Sequence, residues 1–251
     1  MASYDFRAQR LFVDAPLAPG ADVALERDPS HYLLNVLRLQ EGDPVLVFNG
    51  RDGEFKASLG KGGKKAAVLS VGPQTRAQPA AGDVHYLFAP LKHARLDYMV
   101  QKAVEMGAAL IRPVVTRRTQ VSRINLDRMR ANAIEAAEQC GVLAVPEVAD
   151  ETRLDRLLEG WEPGRLLIFC DEDAETADPI AALRGVAPGP AAVLIGPEGG
   201  FSAEEREALL RLPHVLRLSL GPRILRADTA AVAALTLVQA VLGDWSSHSA
   251  R

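Results

Sequence analysis

The chain has 251 residues, a formal net charge of -3 and an apolar share of 48%. This length fits one large or two medium domains, and the apolar content excludes a disordered protein. The mild net charge excludes a uniformly polyanion-binding surface and leaves room for a local basic patch.

The cysteine content and the distribution of apolar residues predict the cellular compartment. Cys140 and Cys170 are too few for a disulfide framework and lack the spacing of metal ligands, so we predict buried or free thiols, no metal site and a reducing compartment. The first residues carry no apolar signal-peptide core, and the longest apolar run, 230–242, is too short to span a bilayer. The sequence therefore predicts a soluble cytoplasmic protein that does not contact a membrane.

The sequence pattern of residues 1–72 predicts a small β-barrel or meander. Short apolar runs between turn signals are typical of strands, and they lie at 45–48, 54–59 and 66–71. Only 30–39 has helical periodicity, and its apolar side consists of Leu33, Leu34, Val36 and Leu37. Five cations of this segment are candidates for phosphate contacts, although a solvated face is the commoner explanation: Arg10, Arg38, Lys61, Lys64 and Lys65.

A change of pattern divides the chain. The stretch 72–82 contains two prolines, two glycines and almost no large apolar residue, which predicts a linker over 73–82. Beyond it, strands alternate with longer helices, so 83–251 is predicted to be an α/β domain with a mostly parallel sheet. The predicted strands are 84–89, 110–115, 166–170, 192–195 and 215–220. The acidic residues 171–173 are interpreted as a solvated loop rather than a metal site.

Two loops follow the last two apolar strands. The first loop, 195–202, reads Ile-Gly-Pro-Glu-Gly-Gly-Phe-Ser, and the second loop, 220–229, reads Leu-Gly-Pro-Arg-Ile-Leu-Arg-Ala-Asp-Thr. Open α/β sheets bind ligands at the carboxyl ends of strands, and glycine lets a backbone approach a ligand closely. The residues indicate a small-ligand pocket, with tight structural turns as the alternative.

Several common site types are excluded by motif. Neither loop has the lysine and spacing of a phosphate-binding P-loop or the Gly-x-Gly-x-x-Gly of a dinucleotide site. Gly-x-Ser-x-Gly and His-Glu-x-x-His are also absent from the sequence. Two helix caps are predicted beside the loops: a capping box at 202–205, and Asp228 or Thr229 at the start of the final helix.

The two loops together resemble the paired signature of the SPOUT-class RNA methyltransferases, specifically the RsmE family. The resemblance extends to 31–39 and 42–43 in the barrel and to 101–107 and 135–141. One departure lies at Ala227-Asp228, where the family usually has Thr-Glu. The resemblance implies a SPOUT trefoil-knot domain with a mostly parallel sheet, preceded by a PUA-like β-barrel, and a homodimer with cofactor sites at its interface.

The implied activity is S-adenosylmethionine-dependent methylation of N3 of a specific uridine in 16S ribosomal RNA. The alternatives are a related SPOUT enzyme that methylates another base or a ribose 2′-hydroxyl, and an RNA-binding assembly factor without turnover. The cofactor-binding residues that the resemblance implies are Ile195, Gly196, Pro197, Glu198, Gly199, Gly200, Leu218, Leu220, Gly221, Ile224, Leu225, Arg226 and Thr229.

Arg226 and Glu198 are the candidate catalytic residues. Arg226 is expected to stabilise developing charge on a uracil oxygen, with a salt bridge to Asp228 or to the helix end as the alternative. Glu198 is a candidate base, although a cofactor contact or a turn-stabilising hydrogen bond fits it as well. A basic run at 112–130, opposed in sequence only by Asp127, predicts RNA contacts or an ordinary solvated surface. The RNA-binding candidates are Arg10, Arg38, Lys92, Arg117, Arg118 and Arg123.

Overall fold

The computed structural model describes residues 8–60, 66–92, 94–120, 123–171, 174 and 178–247. The chain forms two compact units. The first unit comprises Met1–Ala80 with Ala137–Val145, and the second comprises Ala81–Ala136 with Pro146–Arg251. Among the residues just given, no helix is both long enough and apolar enough to cross a membrane.

The first unit contains a curled half-barrel of five strands. They are β1 Arg10–Phe12, β2 Asp22–Ala24, β3 Pro44–Phe48, β4 Glu54–Leu59 and β5 Val68–Arg76. Their order is β1-β3-β4-β5-β2, and only the β1–β3 pair is parallel. Inward side chains such as Leu33, Val47 and Leu69 form one apolar core, so the predicted strands alternate as expected for a sheet with one buried face. The candidate phosphate contacts Lys61, Lys64 and Lys65 lie outside the described residues.

The helical segment of this unit differs from the prediction in its register. It consists of α1 Arg27–His31 followed by a π-helix, Tyr32–Val36, in which the amide of Leu37 donates to the carbonyl of Tyr32 at 2.9 Å. Leu33 is buried, but Val36 is 58% exposed, so its predicted place on the apolar side is wrong. The wider turn places one extra residue between successive turns and rotates Val36 outward.

Strand β5 continues into the predicted linker. Residues 73–76 belong to this strand because the register of β4 against β5 shifts between Phe55 and Ala57, and such a bulge accommodates Gly72 and Pro73. At the end of the strand, Nη2 of Arg76 donates to Oε2 of Glu54 at 2.6 Å. The Pro and Gly content alone therefore placed the start of the linker too early.

Arg10 is also part of this buried network. It is 4% exposed, and its Nε donates to Oε2 of Glu54 at 3.2 Å. A guanidinium enclosed with its counter-charge is not presented to RNA, so the prediction that Arg10 contacts phosphate is wrong.

The second unit is built on a fully parallel sheet. Its strands are β6 Val84–Phe88, β7 Leu110–Val115, β8 Glu147–Val148, β9 Thr152–Arg153, β10 Leu166–Cys170, β11 Ala191–Ile195 and β12 Val215–Leu218. The order is β12-β10-β11-β6-β7-β8, with β9 also pairing with β7. All five predicted strands are present, because each is a short, mainly apolar run. Strands β6, β10 and β11 are largely buried on both faces, whereas β12 at the edge of the sheet is partly exposed. The α/β class with a parallel sheet is confirmed.

Helices cover both faces of this sheet. They are α2 Ala94–Glu105, α4 Leu154–Glu159, α5 Pro179–Arg184, α6 Ala203–Leu210 and α7 Ala227–Val241, which is followed by a 3-10 turn at Asp244–Ser247. Helix α3, Leu126–Cys140, begins in this unit, and its last turn belongs to the first unit. On one face, Leu87, Phe169 and Leu209 share a core with side chains of α4 and α6. On the other face, α7 packs against α2, α5 and β11. Because α7 buries Ala231, Ala234 and Val238 on one side only, its remaining apolar residues are partly exposed.

Candidate functional site

The two loops lie at one edge of the parallel sheet. The first loop follows β11 and the second loop follows β12, and β10 pairs with both of these strands. Since every strand points the same way, the carboxyl ends of all three strands meet at this edge. The sequence prediction that both loops begin at strand ends is therefore confirmed.

Internal contacts shape the first loop. The amide of Gly200 donates to the carbonyl of Pro197 at 2.8 Å, and Gly200 has a φ of 69°, which favours glycine. A Cβ built on Gly196 would lie 2.5 Å from the ring of Phe201. That ring packs edge-on against Phe169, with 5.1 Å between ring centroids. Both glycines are therefore required by the shape of the loop itself.

The predicted capping box ends the first loop. The amide of Glu205 donates to Oγ of Ser202 at 3.3 Å, and Oε2 of Glu205 accepts from the amide of Ser202 at 2.9 Å. Helix α6 therefore starts at a fixed point directly after the loop, as predicted.

Two arginines from other elements contact the first loop, and a third contacts the helix that follows it. Arg95 on α2 forms an ion pair with Glu198, and Nη1 of Arg118 donates to the carbonyl of Gly199 at 2.5 Å. The amide of Arg117 donates to Oε1 of Glu205 at 2.7 Å. Glu198, a candidate base, therefore already has a cation beside it. Arg117 and Arg118, which were predicted to bind RNA, also contact the first loop and its helix.

The second loop presents open backbone. Gly221 has a φ of 102°, and a Cβ built on it would meet nothing within 4 Å. Ile224 is 91% exposed, which is unusual for a large apolar side chain. Leu225 is half-buried beside it. This loop therefore offers unobstructed backbone and apolar surface, as a ligand requires.

Arg226 is the residue that caps α7. Its backbone is extended and its side chain makes no capping bond, so the prediction that Asp228 or Thr229 caps this helix is wrong. Asp228 instead lies inside the first turn, where its Oδ1 accepts from the amide of Thr229 at 2.9 Å. Within the described part of the chain, Arg226 is exposed and forms no ion pair with Asp228. The alternative role in a salt bridge with that carboxylate is therefore not supported.

Asp171 is the residue whose observed environment differs most from the environment that the sequence predicted. It was expected to lie in a solvated acidic loop, but its side chain is 5% exposed and its Oδ2 accepts from Arg206 and Arg217 at 2.9 Å each. Glu172 and Asp173 lie outside the described residues. A lone arginine inside the apolar strand β12 was the sequence signal that a buried acid lies nearby.

Two titratable groups of the parallel sheet, the buried Tyr86 and the partly buried Cys170, stay uncharged. Burial raises the pKa of the Cys170 thiol to about 12 and raises the pKa of the Tyr86 hydroxyl well above its usual value. Both groups are therefore neutral at physiological pH, which excludes a thiolate nucleophile or a phenolate base at these positions.

The arginines of the basic run at 112–130 form ion pairs with acids from outside the run, which its sequence does not indicate. Arg117 pairs with Glu204 at 2.8 Å and Arg128 pairs with Asp97 at 2.5 Å, although neither acid lies in the run. The remaining RNA-binding candidates, Lys92, Arg118, Arg123 and Arg38, are exposed. Since Arg38 belongs to the first unit, the exposed candidates occur on both units.

A shallow cavity of 270 Å³ lies beside the first loop's helix. Its apolar floor includes Val115, Leu154 and Leu158, and its rim carries the ion pairs Arg117–Glu204 and Arg153–Asp155. The acids on the rim offset both arginines. This cavity therefore has neither the glycine-lined backbone nor the charge of the loop edge.

Comparison with known proteins identifies the class of protein. A family model described as an RNA methyltransferase domain matches residues 78–239, and one described as an RNA methyltransferase PUA domain matches residues 25–72. The first match covers more than half of the chain and contains both loops. The class is thus an RNA methyltransferase with a PUA domain.

Individual relatives give the particular family. Curated proteins named ribosomal RNA small subunit methyltransferase E are similar over almost the whole chain. The Rickettsia conorii protein is 29% identical, with 92% of this chain and 94% of the relative covered. The Synechocystis protein is 31% identical over 94% of this chain and 78% of the relative. This chain belongs to the ribosomal RNA small subunit methyltransferase E, or RsmE, family.

Solved structures of similar proteins share the fold. The RsmE protein of Neisseria gonorrhoeae, bound to S-adenosylmethionine, superposes with a TM-score of 0.82 at 25% identity, covering 93% of this chain and 97% of that one. A putative methyltransferase from Legionella pneumophila, in complex with the same cofactor, has a TM-score of 0.81 at 30% identity, covering 93% and 98%.

Proposed function

We propose that this protein transfers a methyl group from S-adenosylmethionine to N3 of a specific uridine in 16S ribosomal RNA. The observation that carries the proposal is the pair of glycine loops at the carboxyl ends of β11 and β12, which flank β10, in a member of the RsmE family. Relatives of this chain carry the name ribosomal RNA small subunit methyltransferase E, and a similar structure contains S-adenosylmethionine.

The loop residues fit S-adenosylmethionine. Gly221 leaves space where a side chain would stand, and Gly200 has partly exposed backbone in the first loop. Ile224 and Leu225 supply apolar surface for an adenine ring. The residues proposed to hold the cofactor are Ile195, Gly196, Pro197, Glu198, Gly199, Gly200, Leu218, Leu220, Gly221, Ile224, Leu225, Thr229 and, through its backbone only, Arg226.

The chemistry requires alignment and charge stabilisation. The bound cofactor supplies an electrophilic methyl group on a sulfonium, so the chain chiefly has to hold the uracil N3 in line with it. Arg226 is proposed to donate to a uracil oxygen as the N3 proton passes to solvent water, because Arg226 is exposed in the second loop. Glu198 is proposed to hold the first loop through Arg95 rather than to remove the proton.

RNA contacts are proposed for the exposed cations on each unit. These are Arg38 on the PUA-like unit and Lys92, Arg117, Arg118 and Arg123 on the methyltransferase unit. Phosphate contacts supply affinity, while the target uridine must be unstacked to reach a pocket. We place the boundary between the PUA-like and catalytic domains after Arg76, where β5 ends.

The oligomeric state is proposed from the partly exposed apolar side of the final helix, α7. We propose a homodimer that covers the partly exposed apolar side of α7, and a cytoplasmic location where ribosomal RNA is available. The trefoil knot that the family resemblance implies stays a prediction.

Two experiments test the proposal. Ribosomal RNA from a strain that lacks the gene is expected to lack N3-methyluridine by mass spectrometry, and expression of the gene is expected to restore it. An unchanged methyluridine inventory would refute the assigned target. Calorimetry is expected to detect S-adenosylmethionine binding, and its absence would favour a non-catalytic assembly factor.

A further inference from the structure

One buried carboxylate connects the two elements that carry the candidate loops. Asp171 follows β10, and its Oδ2 accepts from Nη2 of Arg206 and from Nε of Arg217, both at 2.9 Å. Arg206 lies on α6, which begins directly after the first loop. Arg217 lies in β12, which leads into the second loop. A single oxygen atom is therefore bonded to both loop-bearing elements.

The backbone strengthens this connection. The amide of Asp171 donates to the carbonyl of Leu218 at 3.2 Å, so the end of β12 is bonded to Asp171 through both backbone and side chain. Strand β10 lies between β11 and β12 in the sheet. The carboxylate is thus central to the edge that carries both loops.

We propose that Asp171 is a positioning residue that sets the spacing between the first and second loops, and thereby the shape of the methyl-donor site, without touching the cofactor. The proposal rests on the assigned function of these loops. It concerns a residue outside both loop sequences, which acts on the loops through the two arginines it binds.

Charge, rather than volume, is the property this position requires. Both arginine side chains are only 32% exposed, and they converge on one carboxylate. Without that negative charge the two guanidinium groups repel each other across a poorly screened gap. Nε of Arg206 is also buried and has no hydrogen-bond partner in the described part of the chain. Losing the charge of Asp171 should therefore displace α6 relative to β12.

The variant Asp171→Asn tests this, because it keeps the volume and removes the charge. It is expected to weaken S-adenosylmethionine binding about tenfold in calorimetry, within the usual range for coupled sites. Turnover at saturating cofactor is expected to fall less than affinity. Hydrogen-exchange mass spectrometry is expected to show faster amide exchange in peptides of both loops. If Asp171→Asn does not fold, Arg206→Gln is expected to give smaller changes in the same direction, since Arg217 remains bound.

The matched control is Glu207→Gln. Glu207 also lies on α6, but it forms an exposed pair with Arg211 at 3.1 Å, so its loss should change neither cofactor affinity nor loop exchange. A folded Asp171→Asn protein with unchanged affinity and unchanged exchange in both loops would overturn the proposal, even if its melting temperature falls. Failure of the wild type to bind S-adenosylmethionine would instead refute the proposed function, and the exchange comparison would still test the connection between the loops.

Discussion

The substitution Gly221→Ala tests whether the second loop is shaped around open backbone. Gly221 has a φ of 102°, and an added Cβ would meet nothing within 4 Å. The expected cost is therefore that of a side chain on a left-handed backbone, about 1–2 kcal/mol, with no contribution from a clash. Because 1 kcal/mol shifts the melting temperature of a chain of this size by about 2–4 °C, Tm should fall by about 2–8 °C.

Thermal melts with and without S-adenosylmethionine measure the effect. The control is Gly189→Ala, where the added Cβ also meets nothing within 4 Å but the φ lies outside the left-handed region. That variant should be neutral or slightly stabilised, because alanine lowers the entropy of the unfolded chain. Gly221→Ala should also bind the cofactor more weakly, since its methyl group enters the space assigned to the ligand. A Tm equal to the wild type together with unchanged cofactor affinity would refute the reasoning.

The remaining predictions concern three charged side chains. Arg226→Ala should leave S-adenosylmethionine binding largely intact in calorimetry and lower kcat by about 100-fold or more in a methyl-transfer assay; full activity would remove Arg226 from the mechanism. Glu54→Gln should lower the free energy of unfolding of the first unit by about 2 kcal/mol, read by hydrogen exchange of β4 peptides across a urea series. Burial raises the pKa of Glu54, but hydrogen bonds from Arg76 and Thr75 outweigh it and bring the pKa below 4.5. The difference between Glu54→Gln and wild type should accordingly be complete above pH 4.5 and shrink as pH falls through the folded-state pKa; a pH-independent difference would contradict this. Arg118→Ala should weaken RNA binding and reduce the slope of log affinity against log salt by about 1 in an anisotropy titration, whereas an unchanged slope would argue against a phosphate contact.

The regular elements were predictable because their signals are local. Apolar runs such as 166–170 and 191–195 are buried on both faces of a parallel sheet, so composition alone marks them as strands. The capping box at 202–205 was likewise readable, since both partners lie within one helical turn. The positions of the two loops at strand ends followed from these elements.

Features that depend on distant partners were not predictable in this way. Nothing near Arg10 in sequence indicates that Glu54 encloses it, and nothing near Asp171 indicates Arg206. The π-helix that turns Val36 outward depends on backbone hydrogen bonding, which periodicity does not report. In each case a long-range contact or a local change of helical pitch, rather than the composition of the segment, determines whether the side chain is buried.

The central claim is tested most directly by methyl transfer in a purified system. The protein would be incubated with S-adenosylmethionine carrying a labelled methyl group and small ribosomal subunits from a strain that lacks the gene, and nucleosides from the RNA would be analysed by mass spectrometry. The account predicts one labelled N3-methyluridine per subunit, formed about 100-fold or more slowly by Arg226→Ala. Label on another base or on a ribose, or no label at all, would contradict it.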